Sequence, residues 1–254
     1  MNWVACYTLL VKEVTRWRKV WMQTVMAPVV TALLYLLVFG HVLEGRVEVF
    51  PGVSYTAFLI PGLLMMTVIQ NAFANTSSSL IQSKVMGSIV FILLPPFSAF
   101  ELFLAYIGAA ILRGLAVGIG VFMLAIFYVK VPIDNFLVIL TFAVLGSYVM
   151  GALGLIAGMW AEKFDQISAF QNFLIMPLTF LSGVFYSIKS LPPFWYVLSK
   201  FNPFFYMIDG FRHGFFGQSD QPLSLSLGVM TLAAALLTLI CVKMLKSGYK
   251  MRDS

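Results

Sequence analysis

The chain has 254 residues, of which 61% are hydrophobic and 10% charged, with a net charge of +6 and a mean hydropathy of +0.94. An ordinary soluble domain carries roughly 25% charge, so this composition excludes a soluble enzyme, a disordered tail and a nucleic-acid-binding domain. No charge occurs from residue 49 to 83, and from 102 to 129 the sole charge is Arg113. Apolar runs of that length read as membrane-spanning helices.

In chain order, the first segment is residues 1–21. Trp3, Tyr7, Leu10, Val14, Trp17 and Trp21 recur in steps of four and three, opposite Thr8, Lys12, Arg16 and Lys19. That spacing predicts an amphipathic helix lying in the cytoplasmic interface. The basic cluster Lys12 to Lys19 follows the first apolar residues, so a cleavable signal is not expected. Six spans are predicted near 22–43, 57–82, 100–128, 136–159, 167–187 and 223–244, forming a membrane domain over 22–245, with 246–254 as a cytoplasmic tail. The fold class is thus all-α integral membrane. Six spans put both termini on one side. That side collects Lys12, Arg16, Arg18, Lys19, Lys84, Lys163, Lys243, Lys246, Lys250 and Arg252. The opposite side holds Arg46, Lys130, Lys189, Lys200 and Arg212, so the positive-inside bias predicts cytoplasmic termini.

Two segments resist the span pattern. Residues 85–99 contain Pro95-Pro96 and read as a cytoplasmic elbow. Residues 190–216 are aromatic but carry Pro192, Pro193, Pro203, Lys200, Asp209 and Arg212. They read as a pair of short outer-side helices dipping into the interface.

The spans hold little chemistry. No phosphate-binding Gly-rich loop occurs, and no His or Cys pair has metal-ligand spacing. His41 and His213 fall at outer-side positions, and all ten acids fall in loops or at span ends. Proton-driven transport and chemistry within the bilayer both lose support, because they need titratable or nucleophilic groups there. No catalytic residue and no metal site is assigned.

Arg113 is the exception. It lies about 14 residues into the third span, roughly 20 Å deep. The second span carries Asn71, Asn75, Ser78 and Gln82 on one face, and Asn71 reaches a similar depth. Arg113 is therefore expected to be capped by Gln70, Asn71 or Asn75. Interhelical hydrogen-bond glue and a water-filled or headgroup-accessible path are both open readings of this polar network, Ser78 included. Gly114/Gly118 and Gly154/Gly158 form Gly-x-x-x-Gly pairs for close helix packing. Pro177 and Gly183 predict a kink in the fifth span, beside Phe173, Phe180 and Phe185. Those aromatics either face lipid or line a passage.

Several stretches together resemble the ABC-2 type permease family of bacterial ATP-binding-cassette exporters. They are Trp21-Met-Gln-Thr-Val-Met-Ala-Pro28, Phe58-Leu-Ile-Pro-Gly-Leu63, Pro177-Leu-Thr-Phe-Leu-Ser-Gly-Val-Phe-Tyr-Ser187, Leu191-Pro-Pro-Phe-Trp195, Asn202-Pro203 and Asp209-Gly-Phe-Arg212. The resemblance covers essentially the whole chain. It implies a multi-pass permease of the bacterial inner membrane, paired with a second permease copy and surrounded by membrane lipid. ATP and Mg would be bound by a separate ABC ATPase subunit, leaving no cofactor in this chain. It also implies that the elbow is a coupling helix docking on that ATPase, through Gln82, Ser83, Lys84, Met86, Gly87 and Ser88, with Arg16, Arg18 and Lys19 adding charge. Many relatives carry acids in this elbow; here Gly87-Ser-Ile-Val-Phe-Ile-Leu-Leu-Pro95 is apolar. The outer segment would act as a lid through Pro192, Pro193, Trp195, Asn202, Pro203, Asp209 and Arg212. The resemblance implies export of a lipid, glycolipid, polysaccharide or hydrophobic drug. The alternative is a non-transport membrane subunit that uses an ATPase for assembly or envelope remodelling.

Overall fold

The computed structural model describes residues 3–43, 49–94 and 98–250, with backbone alone for Leu43. Arg46, Pro95-Pro96 and the last four residues of the predicted tail lie outside the described residues, as do Met1 and Asn2. Every regular element among the described residues is helical. They are α1 (Trp3–Arg18), α2 (Ala27–Leu43), α3 (Tyr55–Val85), α4 (Ile89–Leu93), α5 (Ala99–Ala125) and α6 (Phe136–Trp160). Then come α7 (Phe164–Phe170), α8 (Met176–Phe180), α9 (Pro193–Lys200), α10 (Pro203–Phe216) and α11 (Leu223–Ser247).

Polar caps set the helix starts. The Ser54 hydroxyl accepts from the Ala57 N–H, and Ser98 and Glu101 form a reciprocal capping box at α5. Asn135 Oδ1 accepts from the Leu137 and Val138 N–H groups at α6. Two π-helical turns, Met22–Met26 and Gln171–Ile175, each sit just ahead of a proline, Pro28 and Pro177. A proline ring clashes with the carbonyl four residues back, and a wider turn relieves that clash.

Among the described residues, five stretches are long and apolar enough to cross a membrane: Met22–Val42, Tyr55–Val85, Ala99–Ala125, Phe136–Trp160 and Leu223–Ser247. The segment for the remaining predicted span is shorter. α7, the second π turn and α8 run on continuously from Phe164 to Phe180, and Gly183, at φ +76°, then turns the chain sharply. The predicted kink is thus a π turn before Pro177 followed by a stop at Gly183. An L-residue side chain would strain that backbone, which explains the glycine.

α3 is the axis of the bundle. Of its apolar window 89% is buried, against 22% for α2 and for α11. Both Gly-x-x-x-Gly pairs face it. A Cβ at Gly118 would press on Val68, and one at Gly158 would lie 3.2 Å from the Ser77 carbonyl oxygen. The backbones of α5 and α6 therefore approach α3 closely. The Thr76 hydroxyl donates across this contact to the Gly151 carbonyl at 2.7 Å.

Trp3 and Tyr7 of α1, and Trp21 just beyond it, are exposed, while Leu9 and Glu13 are buried and Cys6 and Leu10 pack against α5. The Cys6 thiol meets the Glu101 carbonyl in the first turn of α5, and Arg16 reaches α3 at Asn75. The helix thus leans along the bundle on one side and leaves Trp3 and Tyr7 on its open side.

Candidate functional site

The polar stripe of α3 is the first candidate. Asn71 donates Nδ2 to its own helix at the Thr67 carbonyl, which turns Oδ1 outward. Arg113 of α5 donates Nη2 to that oxygen at 3.2 Å, while its Nε is buried without a partner. Of the three expected caps, Asn71 is the one used. Gln70 faces away and donates to the Met176 sulfur at 3.3 Å. Asn75 is occupied by a cation from elsewhere. Arg16 Nη2 donates to the Asn75 carbonyl at 2.8 Å and to its Oδ1 at 3.1 Å, and Nη1 reaches Ser78 Oγ at 3.4 Å.

Arg16 in turn pairs with the wholly buried Glu13 at 3.2 Å, which also takes Lys12 at 3.3 Å. Arg16, expected from the family resemblance to add charge for ATPase docking, turns its guanidinium inward to Asn75, whereas Arg18 and Lys19 are exposed. A carboxylate buried with two cations around it is compensated, which is why Glu13 is tolerated there. No nucleophile–base pair arises in this network, and the described residues contain no group of three His, Cys, Asp or Glu placed to hold a metal. The arrangement is chemically suited to holding an anion.

The elbow is the second candidate. Met86 and Gly87 are exposed, and so are Val85, Val90, Phe91 and Leu94. Gln82 and Ser88 are partly buried and Ser83 is buried. Lys84 is 6% exposed, and its ammonium donates to the Met159 carbonyl at 2.9 Å and to the Ala161 carbonyl. Its charge therefore caps the end of α6, where free carbonyls carry partial negative charge, rather than reaching the surface. Beside it Lys250 bonds Glu162 at 2.6 Å, and that ammonium holds the exposed Glu162 carboxyl below its ordinary range.

The outer segment is the third. Its two short helices exist as read, but they differ in burial. α9 exposes Phe194, Trp195 and Val197 around the Pro192-Pro193 start. α10 is wedged into the bundle. Asn202 caps it through the Phe204 N–H and ties it to the Leu178 carbonyl, and Pro203 occupies the first helical position. Asp209 and Arg212, expected at an interfacial lid, are 0% and 1% exposed. Charges near prolines read as interface from sequence, yet here each finds local partners. Arg212 donates Nη2 to the Gly183 carbonyl at 2.9 Å and stacks 3.8 Å over the Phe58 ring. Asp209 accepts from the Asp220 and Gln221 N–H groups at 2.7 and 3.0 Å. Asp220 then takes Ser187 Oγ at 2.6 Å and the Ile188 N–H at 3.0 Å. This chain of bonds, which the residue spacing did not reveal, latches the 183–190 turn to the 217–222 link. Burial pushes the Asp209 carboxyl up to about 6, against its two N–H donors and Arg212.

The aromatic set is not an internal lining. Phe173 is 84% exposed and Phe180 is partly so. Phe185 stacks on Phe180 at 5.9 Å and packs on Phe39 at 5.1 Å.

Comparison with known proteins fits these features. The family model described as ABC-2 type transporter matches residues 4–216. The chain is 39% identical over 253 residues to the inner membrane transport permease YadH of Escherichia coli, covering 100% of this chain and 99% of the relative. It is 22% identical over 251 residues to nodulation protein J of Rhizobium leguminosarum bv. viciae, covering 97% and 94% respectively. Nodulation protein J of Rhizobium meliloti is 23% identical over 195 residues, covering 75% and 72%. With a family match over most of its length and a relative this similar from end to end, the chain belongs to the ABC-2 type transporter family.

Proposed function

We propose that this chain is the membrane-spanning subunit of an ABC exporter in the bacterial inner membrane. It crosses six times, keeps both termini in the cytoplasm, and is driven by a separate ATPase that binds ATP and Mg. The cargo class is a lipid, glycolipid, polysaccharide or hydrophobic drug, and two permease copies pair.

The observation that carries the six-span reading is the order of contacts along α3. Phe170 stacks on Phe73 at 5.7 Å, Met176 meets Gln70 at 3.3 Å, and Phe185 accepts from the Tyr55 hydroxyl at 2.9 Å. The broken helix therefore runs antiparallel to α3. From Tyr55 to Phe73 is a rise of about 27 Å, close to the hydrocarbon thickness. The ends of α3, α6 and α11 gather through Lys84, Ala161 and the Lys250–Glu162 pair. That end carries the basic excess, which favours the cytoplasm. The apolar elbow at Met86, Val90, Phe91 and Leu94 is the surface left for an ATPase, and exposed apolar patches of this kind mark partner sites. The half-unburied faces of α2 and α11 are available to lipid and to the second copy.

The test is single-cysteine labelling with a membrane-impermeant maleimide. Cys6 and Cys241 are replaced by Ser, and Thr8→Cys and Ser247→Cys are introduced separately. In right-side-out vesicles both are expected to stay unlabelled until the membrane is opened; labelling of either one refutes the topology. Co-purification with an ABC ATPase whose turnover depends on this chain tests the energy source.

A further inference from the structure

Between α1, α3 and α5 lies a cavity of about 650 Å³ whose lining includes Lys12, Arg16, Trp17, Lys19, Gln82 and Arg113. Four of those six side chains are cations. The described carboxylate that pairs with any of them is Glu13, buried behind Lys12 and Arg16. Arg113 has a neutral amide as its hydrogen-bond partner, and its Nε is buried unpaired. Cations gathered in a mainly apolar bundle cost free energy unless an opposite charge compensates them. The fixed charge on the page falls short by three: four positive side chains against Glu13.

Interhelical glue alone does not account for this. Neutral side chains would tie α1 to α3 and α5 without like charges facing one cavity. The space is also far larger than a single bridging water needs. Two guanidiniums and two ammoniums around one mainly apolar cavity match an amphiphile with a phosphate, whose oxygens arginine recognises through N–H donors. The rim points to a source in the bilayer. Val20, Trp21 and Met22 at the α1–α2 junction are exposed and apolar or amphipathic, and tryptophan favours the headgroup level. An acyl chain leaving the cavity there would meet apolar surface.

We propose that the cavity between α1, α3 and α5 binds the phosphate headgroup of a membrane amphiphile, with Arg113 as its inner donor, the positive charge of Arg16 beside it, and Lys12 and Lys19 at its mouth. Gln82 adds a neutral donor on the α3 side, and Trp17 walls the cavity beside the headgroup. Binding goes beyond the transport reading above and is measured without ATP.

The test uses the full chain purified in a neutral detergent and followed by native mass spectrometry and by fluorescence. Three probes are compared: dioctanoyl phosphatidic acid, dioctanoylglycerol and glycerol 3-phosphate. The expected result is one phosphatidic acid per chain, no retained dioctanoylglycerol, and glycerol 3-phosphate held at least tenfold more weakly. Arg113→Gln is expected to weaken phosphatidic acid by about tenfold, the scale of one charge-assisted contact. Lys19→Gln, at an exposed position where folding is not at stake, is expected to weaken it by about threefold on the smaller scale of an exposed charge. Melting curves of both variants separate lost binding from lost structure. Equal retention of dioctanoylglycerol overturns the phosphate assignment, and equal retention of glycerol 3-phosphate overturns the lipid source. Unchanged binding in a folded Arg113→Gln and in Lys19→Gln overturns the site. Because no ATPase is present, failure to find an ATPase partner would sink the transport reading and leave this result standing, and the reverse holds as well.

Discussion

Replacing Gly154 by Ala tests the close approach of α6 to α3. A Cβ built on Gly154 would lie 3.1 Å from the Phe73 carbonyl carbon, with the Phe73 oxygen and Thr76 Oγ1 nearer still. Phe73 is backbone in the middle of a buried helix and cannot swing aside. Carbon atoms prefer about 3.5–4.0 Å, and the oxygen contact requires the helices to separate by about 1 Å to reach ordinary van der Waals distance. Overpacking of this kind costs about 1–3 kcal/mol. Separation would also stretch the Thr76–Gly151 bond across the same contact, worth about 0.6 kcal/mol between membrane helices. Against these stands the better helix propensity of Ala, about 0.5–1 kcal/mol. The net loss is about 1–3 kcal/mol. At roughly 2–4 °C per kcal/mol for a chain of this size, the melting temperature should fall by several degrees. Tryptophan fluorescence in detergent, scanned with temperature, reads this directly. Gly228→Ala on α11 is the control, since its Cβ would meet nothing within 4 Å; it should leave the melting temperature equal or slightly higher. If Gly154→Ala melts with the parent, the close packing of α3 on α6 is refuted.

Two further outcomes follow from polar groups. Lys84→Met should leave the Met159 and Ala161 carbonyls without their ammonium, cost about 1–3 kcal/mol, and speed tryptic cleavage at Lys163 in the adjoining link; an unchanged cleavage rate would count against the capping role. The Asp209 carboxyl, raised from 3.8 to about 6, binds its proton more tightly in the folded chain than in the unfolded one. Stability from this group is therefore present at low pH, falls as pH rises through about 6, and is flat above. Taking the protein from pH 7 to pH 5 should add roughly 1 kcal/mol relative to Asp209→Asn, read as the difference between their two melting-temperature profiles. Parallel profiles would disprove the shift.

Much of the bundle was legible because its signals are local. Apolar runs located five span-length helices, the steps of four, three and four placed Asn71, Asn75 and Ser78 on one face, and the small-residue pairs marked where helices approach closely. The cap of Arg113 fell within the three residues expected because equal depth on neighbouring helices follows from helical rise alone. The misreadings share a physical cause. In each, the partner lies far away in sequence or on the backbone. Arg16 finds its partner 59 residues away on another helix, and no short-range pattern carries that. A lysine at a helix end looks alike in sequence whether it reaches for water or bends back, as Lys84 does. Asp209 and Arg212 read as surface residues because their partners are backbone groups, which have no letter in the sequence.

The central position of α3 sets a timetable for making the protein. α3 is among the earliest helices synthesised, and although Arg16, the partner of Asn75, precedes it, other partners come much later. Arg113 follows Asn71 by 42 residues and Phe185 follows Tyr55 by 130. At ribosomal rates of roughly 5–20 residues per second, those gaps amount to roughly 2–8 s and 6–26 s. For that interval Asn71 and Thr76 belong to a helix whose partners for them on α5 and α6 have not been made. Lipid is a poor host for such groups, so exposing α3 to lipid before α5 and α6 emerge costs free energy, and joint release of the three helices would avoid that cost. The residues that make α3 the most buried of the five span-length helices also make it the one that depends most on helices made after it.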